Sequence, residues 1–208
     1  GQIALRESAV LSLAGAADPK QQAALRRTFR LAGGENRDKA TGLEGGANRI
    51  PTLARAVTHV REHSEDQAFY VVVDIANVGG MNKAHGKGKV NREVFRRFAT
   101  ILQQQLGGIA AVPRLSVSGF RHGGDELSFV IVGADLTPEA VGRAMNAAQR
   151  EVRAAATAAG LMNTRHLKTN RPPGTGIYFH VAPILGNAIV PTLLDAADRE
   201  LERIKHAA

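Results

Sequence analysis

The stretch GFRHGGDELSFVIV, residues 119–132, decides the fold. The runs RLSVSGF (114–120) and LSFVIV (127–132) are predicted strands, and the glycine pair between them is typical of a hairpin turn. A plain hairpin needs turn glycines, but it does not need two adjacent acids, Asp125 and Glu126, where the turn meets the second strand. The stretch therefore predicts a hairpin that also carries chemistry.

The elements on either side of this hairpin follow from hydrophobic spacing. FYVVVDI (69–75) is a continuous apolar run ending in an acid, which is typical of a buried central strand. A glycine-punctuated turn region (76–89) and an amphipathic helix (90–106) follow it. The remaining predicted elements are a helix with Pro51 in its first turn that runs to about His63, a helix from Pro138 to about Ala159, a strand over 176–184, and a last helix marked by Leu194, Ala197, Leu201 and Ile204.

The order of these elements is β-α-β-β-α-β, which predicts an α+β fold with a ferredoxin-like, palm-like core. Residues 2–31 are Ala-rich with mixed helical spacing, and they predict a helical hairpin or a signalling stalk. Residues 31–49 are rich in Gly, Asn and charge, and they predict a loop. We therefore expect two parts, an N-terminal helical extension (1–35) and one catalytic-type domain (36–208).

The composition excludes some classes of protein. The 208 residues are 44% apolar but only 4% aromatic, so the core must consist of Val, Ile, Leu and Ala. The absence of cysteine excludes disulfides and thiolate zinc sites, and it is compatible with a cytoplasmic setting. No apolar run is long enough to span a bilayer, and no secretion signal is recognisable. Because the sequence lacks an initiator Met, we expect sensory or regulatory domains outside it.

The net charge of +8 favours anionic partners such as nucleotides, nucleic acid or anionic lipid, although a solvated basic surface accounts for it equally simply. The basic residues form no dense run, and few aromatic residues accompany them. This pattern argues against a base-stacking surface for single-stranded nucleic acid.

Two acids that are distant in sequence are expected to meet in this topology. Asp74 ends the first predicted strand and Asp125 lies in the hairpin, and the β-α-β-β-α-β order makes those strands neighbours. Two close carboxylates repel each other unless a cation lies between them. Oxygen ligands suit Mg²⁺, which one or two carboxylates commonly hold together with substrate phosphates. Singly, Asp74 is equally well explained as a helix cap and Asp125 as a turn former.

Other residues could serve the same chemistry. Glu126 is a further candidate metal ligand or proton acceptor. The glycines Gly123 and Gly124 permit a sharp turn and leave room for a nucleotide. The turn NVGGMN (77–82) is predicted to open a short helical segment and could hold phosphates through its free backbone N–H groups, although glycine pairs usually mark ordinary turns. Lys205 could reach a phosphate or simply complement the helix dipole.

Four segments together resemble the GGDEF domain, the family of diguanylate cyclases. RHGGDEL (121–127) resembles the family's signature loop, with Leu127 in place of Phe. RDKATGLEGGANR (37–49) resembles the opening motif, VVVDIANVGGMNKAHG (71–86) the strand-and-turn motif, and AADRELERIK (196–205) the closing helix. The resemblance spans roughly residues 36–206, with its four motifs in the family's order.

This resemblance implies an activity. Two GTP molecules on two facing domains condense to cyclic di-GMP with loss of pyrophosphate, so a homodimer is required. Asp74, the carbonyl of Ile75 and Asp125 would hold Mg²⁺ or Mn²⁺. The remaining implied roles are proton acceptance by Asp125 with Glu126 beside it, guanine contact by Asn82, and phosphate contact by Lys205.

The sequence also departs from the family's pattern. Gly79 replaces a phosphate-contacting Lys, and Asn91 replaces the acid that accepts two guanine donors, whereas an amide offers one acceptor and one donor group. Arg114 of the family's inhibitory product site remains, but its acid partner is replaced by Val117, so product inhibition there is not expected. Two further departures are Lys83 for Asp and Gly86-Lys87 for Gly-His.

Three functions therefore remain open from the sequence. The first is a magnesium-dependent cyclase with GTP as substrate. The second is a degenerate GGDEF module that binds a nucleotide or a protein partner without turnover. The third is a palm-like cyclase with another purine nucleoside triphosphate as substrate, since the residues expected to choose the base differ from the family's.

Overall fold

A computed structural model describes residues 37–109, 112–166 and 173–207 of the chain. The helical extension predicted over residues 1–35 lies outside the described residues. In the part that is described, no helix is both long and apolar enough to cross a membrane.

A five-stranded mixed sheet forms the centre of the fold. Its order is β1-β3-β4-β2-β5, with β1 parallel to β3 and all other neighbours antiparallel. The strands are β1 (Glu44–Gly45), β2 (Asp66–Ile75), β3 (Ser116–Arg121), β4 (Glu126–Ala134) and β5 (Ile177–Pro183).

Helices cover both faces of this sheet. They are α1 (Arg49–Glu62), α2 (Val78–His85), α3 (Lys87–Val90), α4 (Arg97–Gly107), α5 (Pro138–Ala158) and α6 (Val190–Ala207). A 3₁₀ turn (Gly46–Asn48) precedes α1, and a π-helical segment (Asn91–Arg96) joins α3 to α4. Thr137 caps α5 by accepting a hydrogen bond from the backbone N–H of Ala140, and Pro138 occupies its first position.

The predicted α+β topology is confirmed. The four long strands lie in the order β3-β4-β2-β5, so the first strand of the core is paired with the second strand of the hairpin and with the last strand. This is the ferredoxin-like arrangement expected from the order of the elements. The short β1, which lies in the predicted loop over residues 31–49, extends the sheet beyond β3.

The central strand β2 separates two cores, which explains its continuous apolar run. Val71 and Val73 lie in the core against α4 and α5, whereas Tyr70 and Val72 lie in the core against α1 and α6. Burial of each such side chain contributes about 1.5–3 kcal/mol. Because side chains alternate along a strand, Asp74 lies on the same face as Val72, towards α6.

The region predicted as a glycine-punctuated turn opening a short helical segment is helical over most of its length, so the turn is shorter and the helix longer than expected. The backbone leaves β2 through Asn77, which adopts the left-handed conformation with φ 61°, and α2 begins at the next residue. Met81 and Val90 are fully buried, and their burial favours helix over the local preference of the glycines. The amphipathic helix predicted over 90–106 is present, but it begins in the π-helical segment.

Candidate active site

Strand pairing brings the two predicted acids to one end of the sheet. Asp74 lies opposite Glu126 in the β2–β4 ladder, and the backbone N–H of Ile75 donates to the carbonyl of Asp125 at 2.9 Å. The backbones that carry Asp74 and Asp125 are therefore fixed side by side by the sheet itself. Of the predicted site residues, Asp74, Ile75, Asp125 and Glu126 are brought together.

Asp74 is a buried acid in an unfavourable setting. Its side chain is only 8% exposed. Burial raises the pKa of Asp74, Lys205 opposes that rise, and the charges of Asp125 and Glu126 add to it. A carboxylate in this position gains stability from any cation that approaches it.

In this structure the cation beside Asp74 is Lys205, from the last turns of α6. Its Nζ donates to Asp74 Oδ2 at 2.9 Å and to Glu202 Oε1 at 2.7 Å. Burial alone would lower the pKa of Lys205, but the hydrogen bonds to Glu202 and Asp74 outweigh that effect and raise it. Lys205 therefore stays charged at neutral pH and lies within the acid cluster.

The donor set is of the kind that Mg²⁺ binds, but it is incomplete on its own. Among residues 37–109, 112–166 and 173–207, no group of three or more His, Asp or Glu side chains could hold a metal ion. Two carboxylates, Asp74 and Asp125, and the main-chain oxygen of Ile75 supply hard oxygen donors only. This set fits an ion that keeps several waters and takes its remaining ligands from substrate phosphates.

The two glycines of the hairpin have different surroundings. Neither has a positive φ, so the backbone conformation of the turn does not itself require glycine. A Cβ on Gly123 would overlap the Glu126 carboxylate, whereas a Cβ on Gly124 would meet nothing within 4 Å. Gly123 thus accommodates Glu126, and open space adjoins Gly124. Contact between either glycine and a nucleotide stays a prediction.

The glycine-rich turn after β2 is held by the segment that follows α5. Asn77 Nδ2 donates to the carbonyls of Thr164 and Gly174, each at 2.9 Å. A Cβ on Gly80 would overlap the side chain of Asn77 and the carbonyl of Arg165. Gly80 is therefore explained by packing, and a phosphate-binding role for this turn stays a prediction.

The predicted base-contacting residues do not share one cleft. Asn82, on α2, has a buried side-chain oxygen without a hydrogen-bond partner in the described part of the chain. Asn91 lines a cleft of about 250 Å³, and Asn82 lies outside the set of residues lining it. The other lining residues are Asp38, Lys39, Ala40, Arg92 and Arg96.

Arg114, predicted as the remnant of an inhibitory site, is engaged within the chain. Its Nη2 donates to Asp66 Oδ1 at 2.8 Å and to Glu65 Oε1 at 3.3 Å. Asp66 is 3% exposed and also lies 2.6 Å from the imidazole Nε2 of His59. The hydrogen bond with His59 and the charge of Arg114 outweigh burial and lower the pKa of Asp66. Arg114 thus pairs with acids that precede and begin β2.

Sequence reasoning missed a buried polar contact beneath the hairpin. Arg49 Nη1 lies 2.9 Å from His122 Nδ1 and 3.2 Å from the hydroxyl of Tyr70. Burial and the adjacent Arg49 charge lower the pKa of His122 to about 4, so the imidazole is neutral at physiological pH. Nδ1 must then accept the hydrogen bond from Arg49. Arg49 and His122 lie 73 residues apart, in the motifs GANR (46–49) and RHGG (121–124), and no spacing pattern in the sequence links them.

Comparison with solved structures decides the fold. The GGDEF domain of DgcB from Caulobacter crescentus, solved in complex with c-di-GMP, matches with a TM-score of 0.63 at 19% identity, over 84% of this chain and 92% of that chain. The chain has the fold of a GGDEF domain. A sensory box/GGDEF family protein from Caulobacter crescentus CB15 has a TM-score of 0.55 at 22% identity, over 83% of this chain and 99% of that one.

One of the structures with a similar fold is that of an enzyme in complex with an activator. The diguanylate cyclase SiaD from Pseudomonas aeruginosa, in complex with its activator SiaC, has a TM-score of 0.58 at 18% identity, over 91% of this chain and 66% of that chain. A scan against protein-family models and a search of curated protein sequences find no match. The relationship is therefore visible in three dimensions and in the short motifs.

Proposed function

We propose that this chain is a magnesium-dependent diguanylate cyclase that condenses two GTP molecules into cyclic di-GMP. The observation that carries the proposal is the β2–β4 pairing, which sets Asp74, the Ile75 carbonyl and Asp125 at one end of the sheet. Support comes from the GGDEF fold, since the DgcB domain of that fold is complexed with c-di-GMP.

The proposed roles follow from position and charge. Asp74, Asp125 and the carbonyl of Ile75 hold Mg²⁺ or Mn²⁺, which when bound neutralises charge on the triphosphate. In each half-reaction a 3′ oxygen forms a bond to the α-phosphorus of the other GTP, and the bond from that phosphorus to the pyrophosphate oxygen breaks. The hydroxyl proton passes to Asp125 or Glu126. Lys205 leaves Asp74 and pairs with the phosphates.

The geometry of the reaction requires two copies of the domain. Each substrate supplies one nucleophile and one electrophile to the other, so a homodimer with facing sites is part of the proposal. The residues proposed for base recognition are Asn91, in its cleft, and Asn82, which lies outside the set of residues lining that cleft. The Asn82 side-chain oxygen is buried and lacks a hydrogen-bond partner among the described residues, so it would accept from a guanine N–H group only after this part of α2 becomes exposed.

A product assay tests the proposal. The protein is incubated with Mg²⁺ or Mn²⁺ and each nucleoside triphosphate, singly and in mixtures, and products are identified by mass spectrometry. Cyclic di-GMP that disappears in Asp74→Ala and in Asp125→Ala, but persists in the exposed-residue control Asp195→Ala, supports the cyclase. An adenine-containing product instead supports a cyclase with altered purine choice.

A second candidate is a GGDEF module that binds nucleotide or a protein partner without turnover. The ammonium of Lys205 on Asp74, together with Gly79 and Asn91 in place of the family's Lys and acid, favours it. Nucleotide binding in calorimetry with no product in the assay above would select this candidate.

A further inference from the structure

Arg121 is the last residue of β3 and stands two residues before the glycine pair. It lies opposite Leu127 in the hairpin and opposite Gly45 of β1, so its backbone is fixed on both sides. Its side chain is 17% exposed. Burial of a guanidinium costs free energy unless the group is hydrogen-bonded. The partners of Arg121 therefore show which parts of the chain its side chain holds together.

The Arg121 guanidinium joins three separate parts of the chain. Nη2 donates to the carbonyl of Gly124 at 2.7 Å, inside the hairpin turn. Nη1 donates to Asp38 Oδ1 and Oδ2 at 3.2 and 3.3 Å. The guanidinium carbon lies 4.0 Å from the centre of the Phe95 ring, which is a cation–π contact.

Asp38 is itself the centre of a tight turn. Its Oδ1 accepts from the backbone N–H and the hydroxyl of Thr41, each at 2.8 Å, and from the N–H of Ala40 at 3.1 Å. Burial opposes ionisation, but the hydrogen bonds from Thr41 and the charge of Arg121 outweigh it and lower the pKa of Asp38. Asp38 is thus an ionised partner whose position is fixed independently of Arg121.

One partner of Arg121 on this side lines the cleft of Asn91, and the other lies on the helical segment that begins at Asn91. Asp38 lines that cleft directly. Phe95, 2% exposed, belongs to the π-helical segment that begins at Asn91. The guanidinium is therefore the shared contact between the walls of the Asn91 cleft and the hairpin that carries Asp125.

We propose that Arg121 is a positioning residue that fixes the Gly123–Glu126 hairpin to the walls of the Asn91 cleft. The proposal deepens the cyclase function and rests on it for its kinetic consequence. Arginine is required because its planar group donates in two fixed directions while stacking on the Phe95 ring, whereas the lysine ammonium has no planar face to stack and no rigid fork of donors.

Hydrogen exchange of two backbone amides measures how firmly the hairpin is held, and the measurement does not depend on enzymatic activity. The Ile75 N–H donates to the Asp125 carbonyl and the His122 N–H donates to the Glu126 carbonyl, at 2.9 and 3.3 Å, so both report opening of the hairpin. In Arg121→Lys, residue-resolved exchange of these amides is expected to accelerate about tenfold, the loss of about one hydrogen bond. In the control Arg97→Lys, whose side chain is 48% exposed, exchange is expected to stay within about twofold of wild type.

A second variant tests the same contact from its other side, so that the result does not depend on correct folding of Arg121→Lys alone. Asp38→Asn removes the charge that holds Arg121 but leaves an oxygen for Thr41, and it is expected to accelerate exchange at the same amides. In the double variant these amides should exchange no faster than in the faster of the two single variants, because both substitutions remove the same contact. Wild-type exchange in both single variants would overturn the proposal, and so would additive effects in the double variant.

Kinetic measurements on Arg121→Lys distinguish failure of the positioning proposal from failure of the cyclase proposal. If the wild type makes cyclic di-GMP, Arg121→Lys is expected to lower kcat about tenfold with KM within about threefold. A rise in KM alone would overturn the positioning role. If the wild type makes no product, the cyclase proposal fails, while the exchange measurements still decide whether Arg121 holds the hairpin.

Discussion

The acid end of the sheet and the Asn91 cleft are built differently. At the acid end, Asp74 and Asp125 are placed by strand pairing, and Asp74 is only 8% exposed. The Asn91 cleft is formed by a turn and the side of a helical segment, and it carries Lys39, Arg92 and Arg96. The positions at the acid end are set by strand pairing, whereas the polar lining of the cleft is supplied by side chains of a turn and of a helical segment. We therefore expect substitutions to alter the cleft, and with it the base choice proposed for Asn91, more easily than they move the acids.

The largest effect is expected from Lys205→Met at the acid end. The change leaves Asp74 buried without its cation, and breaking such a pair costs about 3 kcal/mol of unfolding free energy. Denaturant unfolding with and without Mg²⁺ measures this loss, and added Mg²⁺ should recover part of it. The proposed cyclase activity is expected to fall about hundredfold, since the phosphate contact proposed for Lys205 is also removed. An unchanged stability in Lys205→Met, matching the exposed control Lys87→Met, would contradict the prediction.

The next effect is a pH dependence centred on His122, beneath the acid end. Its pKa is lowered to about 4 in the folded protein, against 6.5 in the unfolded chain, so the unfolded state binds more protons between these values. Stability is therefore fully present above pH 6.5 and is lost as the pH falls towards 4, by roughly 3 kcal/mol at most.

Unfolding curves between pH 7 and 4 test this dependence. The wild type is expected to lose more stability than His122→Gln over that range. The exposed-residue control His206→Gln should follow the wild type. Parallel curves for the wild type and His122→Gln would show that His122 is not neutral and buried.

Asn91→Asp probes the cleft side of the comparison. A carboxylate accepts two guanine donors where the amide accepts one, so the ratio of kcat/KM for GTP to that for ATP should rise about tenfold. Product formation from the two nucleotides in competition measures the ratio, with the exposed residue change Asn146→Asp as control. An unchanged ratio would place the base elsewhere.

The smallest effect is a difference in the free energy of unfolding between alanine variants of the two hairpin glycines. Gly123→Ala forces the Glu126 side chain aside and is expected to cost about 1 kcal/mol, whereas Gly124→Ala enters open space and should stay within about 0.5 kcal/mol of wild type. Thermal unfolding of the two variants side by side makes the comparison. Equal losses would show that the turn itself, rather than Glu126, requires Gly123.

Strand pairing was predictable from the sequence because it depends on apolar runs and on element order. The run ending at Asp74 and the hairpin carrying Asp125 were enough to expect the two acids at one end of the sheet. The backbone hydrogen bond between Ile75 and Asp125 agrees with that expectation.

Contacts made by single long side chains were not predictable in the same way. Arg49 meets His122, and Arg121 meets Asp38, across long separations in sequence and without any periodic signal. The helical structure after Asn77 was expected only in part, as a short segment opened by NVGGMN, because local glycine preference indicated a turn. Burial of Met81 and Val90 favours the longer helices that are observed.

The pair of Asp74 and Lys205 joins positions 131 residues apart. During synthesis, all five strands of the sheet leave the ribosome before the lysine does, since chains emerge from the N-terminal end. Until α6 docks, the acid end of a nascent domain carries its carboxylates without their internal cation. The buried charge of Asp74 therefore depends on a helix that is made after every strand of the sheet.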